Sequence, residues 1–197
     1  MSTRLKGSLA ALLEARERGW VRVATITWHK ATMVLDLAID SRRNGVTRES
    51  WRVECRNVQE YKVSDVNGGG LAIYDQDHPA VRHHVDDVVG LRFHGKTKQL
   101  SRVIGDLVRA HDDAAGDWIA FDSYLGPVES LVSKLTSGTG TLATGPKFLL
   151  ASYAVALRQN AIKPRLLNIN KRKRGRAMAL HFGNSFVVAL SIRAERV

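Results

Sequence analysis

The sequence predicts an α+β fold: an N-terminal antiparallel β-meander, central helices and a C-terminal β-hairpin. Two observations carry this expectation. Apolar residues alternate with polar ones over residues 20–95 and again near the C-terminus, whereas the stretch between repeats its apolar residues at helical spacing. Strands, then helices, then strands is the order of an α+β chain, not of a wound α/β one. No internal repeat and no low-complexity linker divides the 197 residues, so one domain is expected, with a soft boundary near 95–98.

Each element has a local reason. Leu5, Leu9, Leu12 and Leu13 share a helical face, and Gly19 offers a stop. From Trp20 the period changes to two. VRVATITW reads as a strand, and in TMVLDLAI the residues Met33, Leu35, Leu37 and Ile39 form one face. SRRNG is a turn, and TRESWRVECRNV follows as a strand, extended after a bend by EYKVSD. Trp51, Val53 and Cys55 share its apolar face, so Cys55 is expected in the core as a small hydrophobe. NGGG reads as a loop, LAIYD and VVGLRFHG as further strands.

Beyond residue 96, Leu100, Val103, Ile104, Leu107 and Val108 form an amphipathic stripe. DDAAGDWIAFDSYLG reads as a short helix and turn with Asp113 as N-cap. PVESLVSKLTSG and GPKFLLASYAVALRQN each place a proline at a helix start. RLLNIN, RAMALHF and SFVVALSIRA close the chain as strands, the last two joined through Gly183-Asn184 as a hairpin.

No stretch approaches the ~20 apolar residues of a membrane helix. The N-terminal residues carry Glu14, Arg16, Glu17 and Arg18 where a signal peptide needs an apolar run, so a cytoplasmic location is expected. The single cysteine excludes an internal disulfide framework. The formal net charge is +11, and it is unevenly placed. Residues 163–197 hold nine Lys/Arg against one Glu. Such asymmetry points to an anionic partner.

Three stretches could carry chemistry. DQDHPAVRHHVDD (75–87) concentrates carboxylates and imidazoles, both metal ligands and general bases. His83 and His84 are adjacent, not spaced i, i+4 as in helical metal motifs, and a polar loop between strands is the expectation. Asp75, Asp77, His78, His84 and, from HDDAAGD, His111 are the candidate metal ligands of a hydrolase reading. GTGTLATGPK (138–147) lacks the Gly-Lys-Ser/Thr of a phosphate loop, because Pro146 stands at the lysine position, and reads as a connector.

The basic stretch KRKRGR supplies the remaining candidate. Lys171, Arg172, Lys173, Arg174 and Arg176 lie between two apparent strands, as on a hairpin loop closed by Gly175. No aromatic residue interleaves them, so base stacking is unsupported, and no helix carries them into a groove. The expectation is a non-catalytic binding protein that engages an anionic macromolecule through this loop. A nucleic-acid backbone ranks first, with no cofactor; the alternatives are a small accessory or inhibitor protein that binds an acidic protein partner, and, from another class, a metal-dependent hydrolase using the Asp/His clusters at 75–87 and 111–117.

Overall fold

A computed structural model describes residues 7–17, 19–41, 47–64, 67–171 and 176–197. The predicted SRRNG turn lies almost wholly outside them. The chain condenses into two compact units: residues 1–81 with 175–197, and residues 82–174. The second is thus inserted into the sequence of the first, and positions 95–98 fall inside it.

In the first unit, α1 (Gly7–Glu17) is followed by the long strands β1 (Gly19–His29), β2 (Thr32–Ser41) and β3 (Thr47–Lys62). The short strands β4 (Asn67–Gly69) and β5 (Leu71–Tyr74) come next, and α2 (Pro79–Val85) straddles the division. After the inserted unit, β9 (Met178–Phe182) and β10 (Ser185–Arg196) complete one sheet of order β4-β1-β2-β3-β10-β9-β5. All its pairings are antiparallel.

The register puts Met33 beside Cys55, Leu35 beside Val53 and Leu37 beside Trp51, all buried. Leu9, Leu12 and Ala15 of α1 join the same core. Cys55 is buried as expected, and burial pushes its thiol up to about 12, so it is inert as a nucleophile. The predicted bend in β3 is Asn57 at φ 53, a left-handed conformation that asparagine tolerates better than most side chains. The C-terminal hairpin forms: Phe182 pairs with Ser185, and Gly183 supplies φ 56 in the two-residue turn.

The second unit begins with β6 (Val88–His94) and continues through α3 (Leu100–Ala115), a 3-10 turn (Gly116–Trp118), α4 (Asp122–Leu125) and α5 (Val128–Ser137). It closes with β7 (Thr139–Pro146), α6 (Lys147–Gln159) and β8 (Lys163–Asn170), in a sheet of order β7-β6-β8. Val89, Leu91 and Phe93 of β6 enter a core with Val103 and Leu107 of α3 and Leu150, Tyr153 and Leu157 of α6.

Several expectations are corrected. The meander ends at β3, because β3 pairs next with β10, β4 with β1 and β5 with β9, and β6 joins β7 and β8 in the other sheet. NGG forms the edge strand β4, and part of the 75–87 loop is the helix α2, begun by Pro79. Asp113 is not an N-cap: α3 continues through Ala115 because Val103, Leu107, His111 and Ala115 extend one buried stripe at four-residue spacing. The Gly/Thr-rich connector is the strand β7, whose Leu142 and Ala143 are buried. A side chain on Gly145 would collide with the Tyr124 ring, its Cβ lying 2.6 Å from the nearest ring atom. Glycine there reflects close packing, not a flexible linker.

Among the described residues the strands that flank the basic stretch do not pair with each other as the expected hairpin. β8 pairs with β6, whereas β9 pairs with β10 and β5. Alternation identified both flanks as strands, but it carries no information about which strand each one joins.

Leu35→Ala in the core face of β2 is expected to lower the unfolding free energy by about 2–5 kcal/mol in urea titration. Arg52→Ala, which removes an exposed pair with Asp36 on the opposite face, should leave the urea midpoint nearly unchanged.

Candidate functional site

The two sheets handle charge differently on their solvent faces. On the larger sheet, Arg48 meets Asp40 at 2.8 Å, Arg52 meets Asp36 at 2.9 Å and Arg56 meets Glu54 at 2.8 Å. The hydroxyl of Thr25 also donates to Asp36, and together with Arg52 it holds that carboxyl below the usual range. Positive charge on this face is largely compensated where it arises.

The smaller sheet does the reverse. Leu91, Phe93 and Leu166 belong to its core side, so Arg92, His94 and Arg165 project to the other face. There Arg92 stands directly opposite Arg165, and His94 opposite Lys163. All four are exposed, and none has an ion pair or side-chain hydrogen bond among the described residues. Like charges directly opposite across strands are destabilising, so the Arg92–Arg165 row needs an external counter-charge to be favourable. The rows lie about 7 Å apart along the strands. Thr139 and Thr141 of β7 complete them with hydroxyls. Farther along β8, the side chain of Ile169 lies across Gly90 and is 59% exposed.

Lys171 follows β8 and Arg176 precedes β9; both are exposed. Arg172, Lys173 and Arg174 lie outside the described residues. The basic stretch therefore runs on in sequence from the strand that supplies Lys163 and Arg165 to the face. Sequence reading missed Arg92, His94, Lys163 and Arg165 because they are scattered singly over two distant segments. Only the pairing of β6 with β8 brings them together.

The residues proposed as metal ligands have other local roles. The backbone N–H groups of Asp77 and His78 donate to Asp75, to its carboxylate and its carbonyl respectively, in a turn before α2. Asp77 is exposed. His78 precedes Pro79, and its Nδ1 accepts from the N–H of Ala80 at 3.3 Å, an N-cap contact. Its ring stacks on Tyr74 at 3.8 Å, and Tyr74 also meets His181 at 6.1 Å. Burial lowers the pKa of both His78 and His181. His84 touches His83 with ring centroids 3.8 Å apart, although adjacent helical side chains ordinarily diverge.

His111 is a buried structural residue. Its Nε2 lies 2.7 Å from the carbonyl of Ile119 and must donate to it, because a carbonyl only accepts. Nδ1 then accepts from the Tyr153 hydroxyl at 2.6 Å. Both ring nitrogens are thereby used to tie α3 to α6 and to the segment before α4. The start of α6 is likewise filled from within the protein: Asp86 accepts from the Phe148 N–H at 2.7 Å, where a bound anion would otherwise sit.

The lowered pKa values of His78 and His181 set a direction for acid stability. The unfolded chain takes up protons first, so this contribution is complete above the ordinary value of 6.5 and is lost as pH falls through the lower folded values. The melting temperature should therefore drop on acidification below 6.5. His78→Asn, which keeps a capping acceptor without a titrating ring, should flatten that drop. An unaltered pH profile in the variant would exclude His78 as its source. Among the described residues no helix is long and apolar enough to cross a membrane. No protein-family model, curated protein or solved structure matches the chain.

Proposed function

We propose that this protein is a non-catalytic binder of nucleic-acid backbone. The observation that carries the reading is the pair of uncompensated basic rows, Arg92 with Arg165 and His94 with Lys163, on an exposed sheet face. Lys171, exposed directly after β8, adds a further cation, and the basic run continues from it in sequence. Arg165 and Lys171 are separated by about 20 Å of extended chain, a span that covers several successive phosphates. The face carries Ile169, Thr139 and Thr141 but no exposed aromatic side chain, which favours charge-directed contact over base stacking.

An acidic protein segment is the second reading, and one observation favours it. β8 is an edge strand, and among the described residues its outer backbone groups have no strand partner. An extended acidic peptide could add there by β-augmentation.

Titrating duplex and single-stranded DNA and RNA at two salt concentrations tests the first reading. With about four phosphate contacts, affinity should fall about 100-fold between roughly 50 and 200 mM salt. The variant Arg92→Ser/Arg165→Ser should bind more weakly and show a shallower salt dependence, as should Lys171→Ser/Arg172→Ser/Lys173→Ser/Arg174→Ser. Binding absent from the parent protein, or unchanged in both variants, overturns the reading. Displacement of bound protein from a poly-glutamate matrix by these substitutions, without nucleic-acid affinity in the parent, would select the second.

A further inference from the structure

We infer, resting on the backbone-binding reading above, that the Arg92–Arg165 row receives a terminal phosphate. Its ligand is then the monoester end of a nucleic-acid strand, in preference to internal phosphodiesters. All the residues concerned lie in the second unit. Arg92 of β6 stands directly opposite Arg165 of β8, which places their Cα atoms about 5 Å apart with both side chains on one face. Neither has an ion pair among the described residues. Positions 172–174 of this unit, outside the described residues, are arginine and lysine, so they offer no carboxylate to the row.

Shape and charge both select the monoester. A guanidinium presents its N–H groups as a planar fork that takes a pair of oxygens at once. The free oxygens of an internal diester satisfy a single fork, and its single negative charge compensates a single arginine. The second arginine of the row would stay unmatched. A terminal monoester has three free oxygens and a charge of about −1.5 to −2 at neutral pH. Both opposed forks can then engage it by sharing one oxygen, and both positive charges are compensated. Thr141 of β7, opposite Arg92 on its other side, adds an exposed hydroxyl to the same row.

The distribution of charge along β8 puts the strand end at this row. His94 and Lys163 form the next row on one side, about 7 Å away, so the cations of the face gather here. The row on the other side is Thr144, Gly90 and Leu167, which carries no cation. The side chain of Ile169 lies across that glycine and is 59% exposed, an apolar ledge on which the terminal sugar can rest. Beyond Arg165, the next cation along the strand direction is Lys171. Evenly charged diesters would be matched by evenly spaced cations. A dense cluster, an apolar gap and then one lysine match a doubly charged end followed by singly charged links.

Fluorescence anisotropy of the full chain with internally labelled, single-stranded DNA and RNA oligonucleotides tests this. Each sequence is made with a 5′-phosphate, with a 3′-phosphate, with either phosphate as its methyl ester, or with hydroxyls at both ends. At least one monoester should bind about tenfold tighter than the hydroxyl form, the scale of one charge-assisted hydrogen bond. Its methyl ester, a monoanion with the free oxygens of a diester, should lose that advantage. Arg92→Lys/Arg165→Lys keeps both charges and removes both forks. This variant should bind monoester and hydroxyl forms alike while keeping salt-dependent affinity, with circular dichroism verifying its fold. Equal binding of all forms by the parent overturns the inference and leaves the backbone reading standing; binding of none overturns both. A preference that survives in the methyl ester or in the lysine variant also overturns the inference. So does a nucleoside 5′-monophosphate that competes as well as the phosphorylated strand, which would assign the row to free nucleotides.

Discussion

The register of β2 against β3 is the constraint on which the first unit depends. Once Leu35 lies beside Val53, every alternate residue of both strands is committed to the core or to solvent. A slip of one position would bury Asp36, Arg52 and Glu54 and expose Leu35, Val53 and Cys55, at a cost of several kcal/mol for each unpaired charge. β10 extends the same logic: Ile192 meets Cys55 and Ala194 meets Val53 on the buried side. The arginine–carboxylate pairs on the far face are a consequence of this register. Exposed as they are, they contribute little to stability.

The second unit rests on a different kind of constraint. Its helices α3 and α6 meet along a buried stripe in which the ring nitrogens of His111 bond the Tyr153 hydroxyl and the Ile119 carbonyl. Burial raises the Tyr153 hydroxyl pKa, so it stays a donor across the physiological range. A buried histidine bonded at both nitrogens fixes the relative position of three segments, which apolar packing alone does less specifically. The sheet below is then free to present an unneutralised basic face, because its core side alone supplies the packing.

Periodicity made much of this fold legible. The α+β order, the alternation in β1–β3, the stripe of α3, the glycine stop after α5 and the β9–β10 hairpin all follow from local patterns. The errors share a cause. NGG, GTGTLATGP and PAVRHHV have weak or conflicting local preferences, and backbone pairing or capping decided them. Asp112 and Asp113 resemble a helix start, yet the buried stripe ending at Ala115 outweighed their modest helix penalty.

For the candidate site the division is sharper. The sequence by itself determined that the C-terminal segment is strongly basic, that strands flank KRKRGR, and that Cys55 faces inward. Apart from the β9–β10 hairpin, whose two-residue turn fixes its pairing, strand partners were decided by tertiary structure. A strand's alternation specifies one buried face and leaves both hydrogen-bonding edges open to any compatible neighbour. Thus β8 joined β6, and Arg165 came to face Arg92. Charge and alternation are properties of a segment; juxtaposition is a property of the sheet.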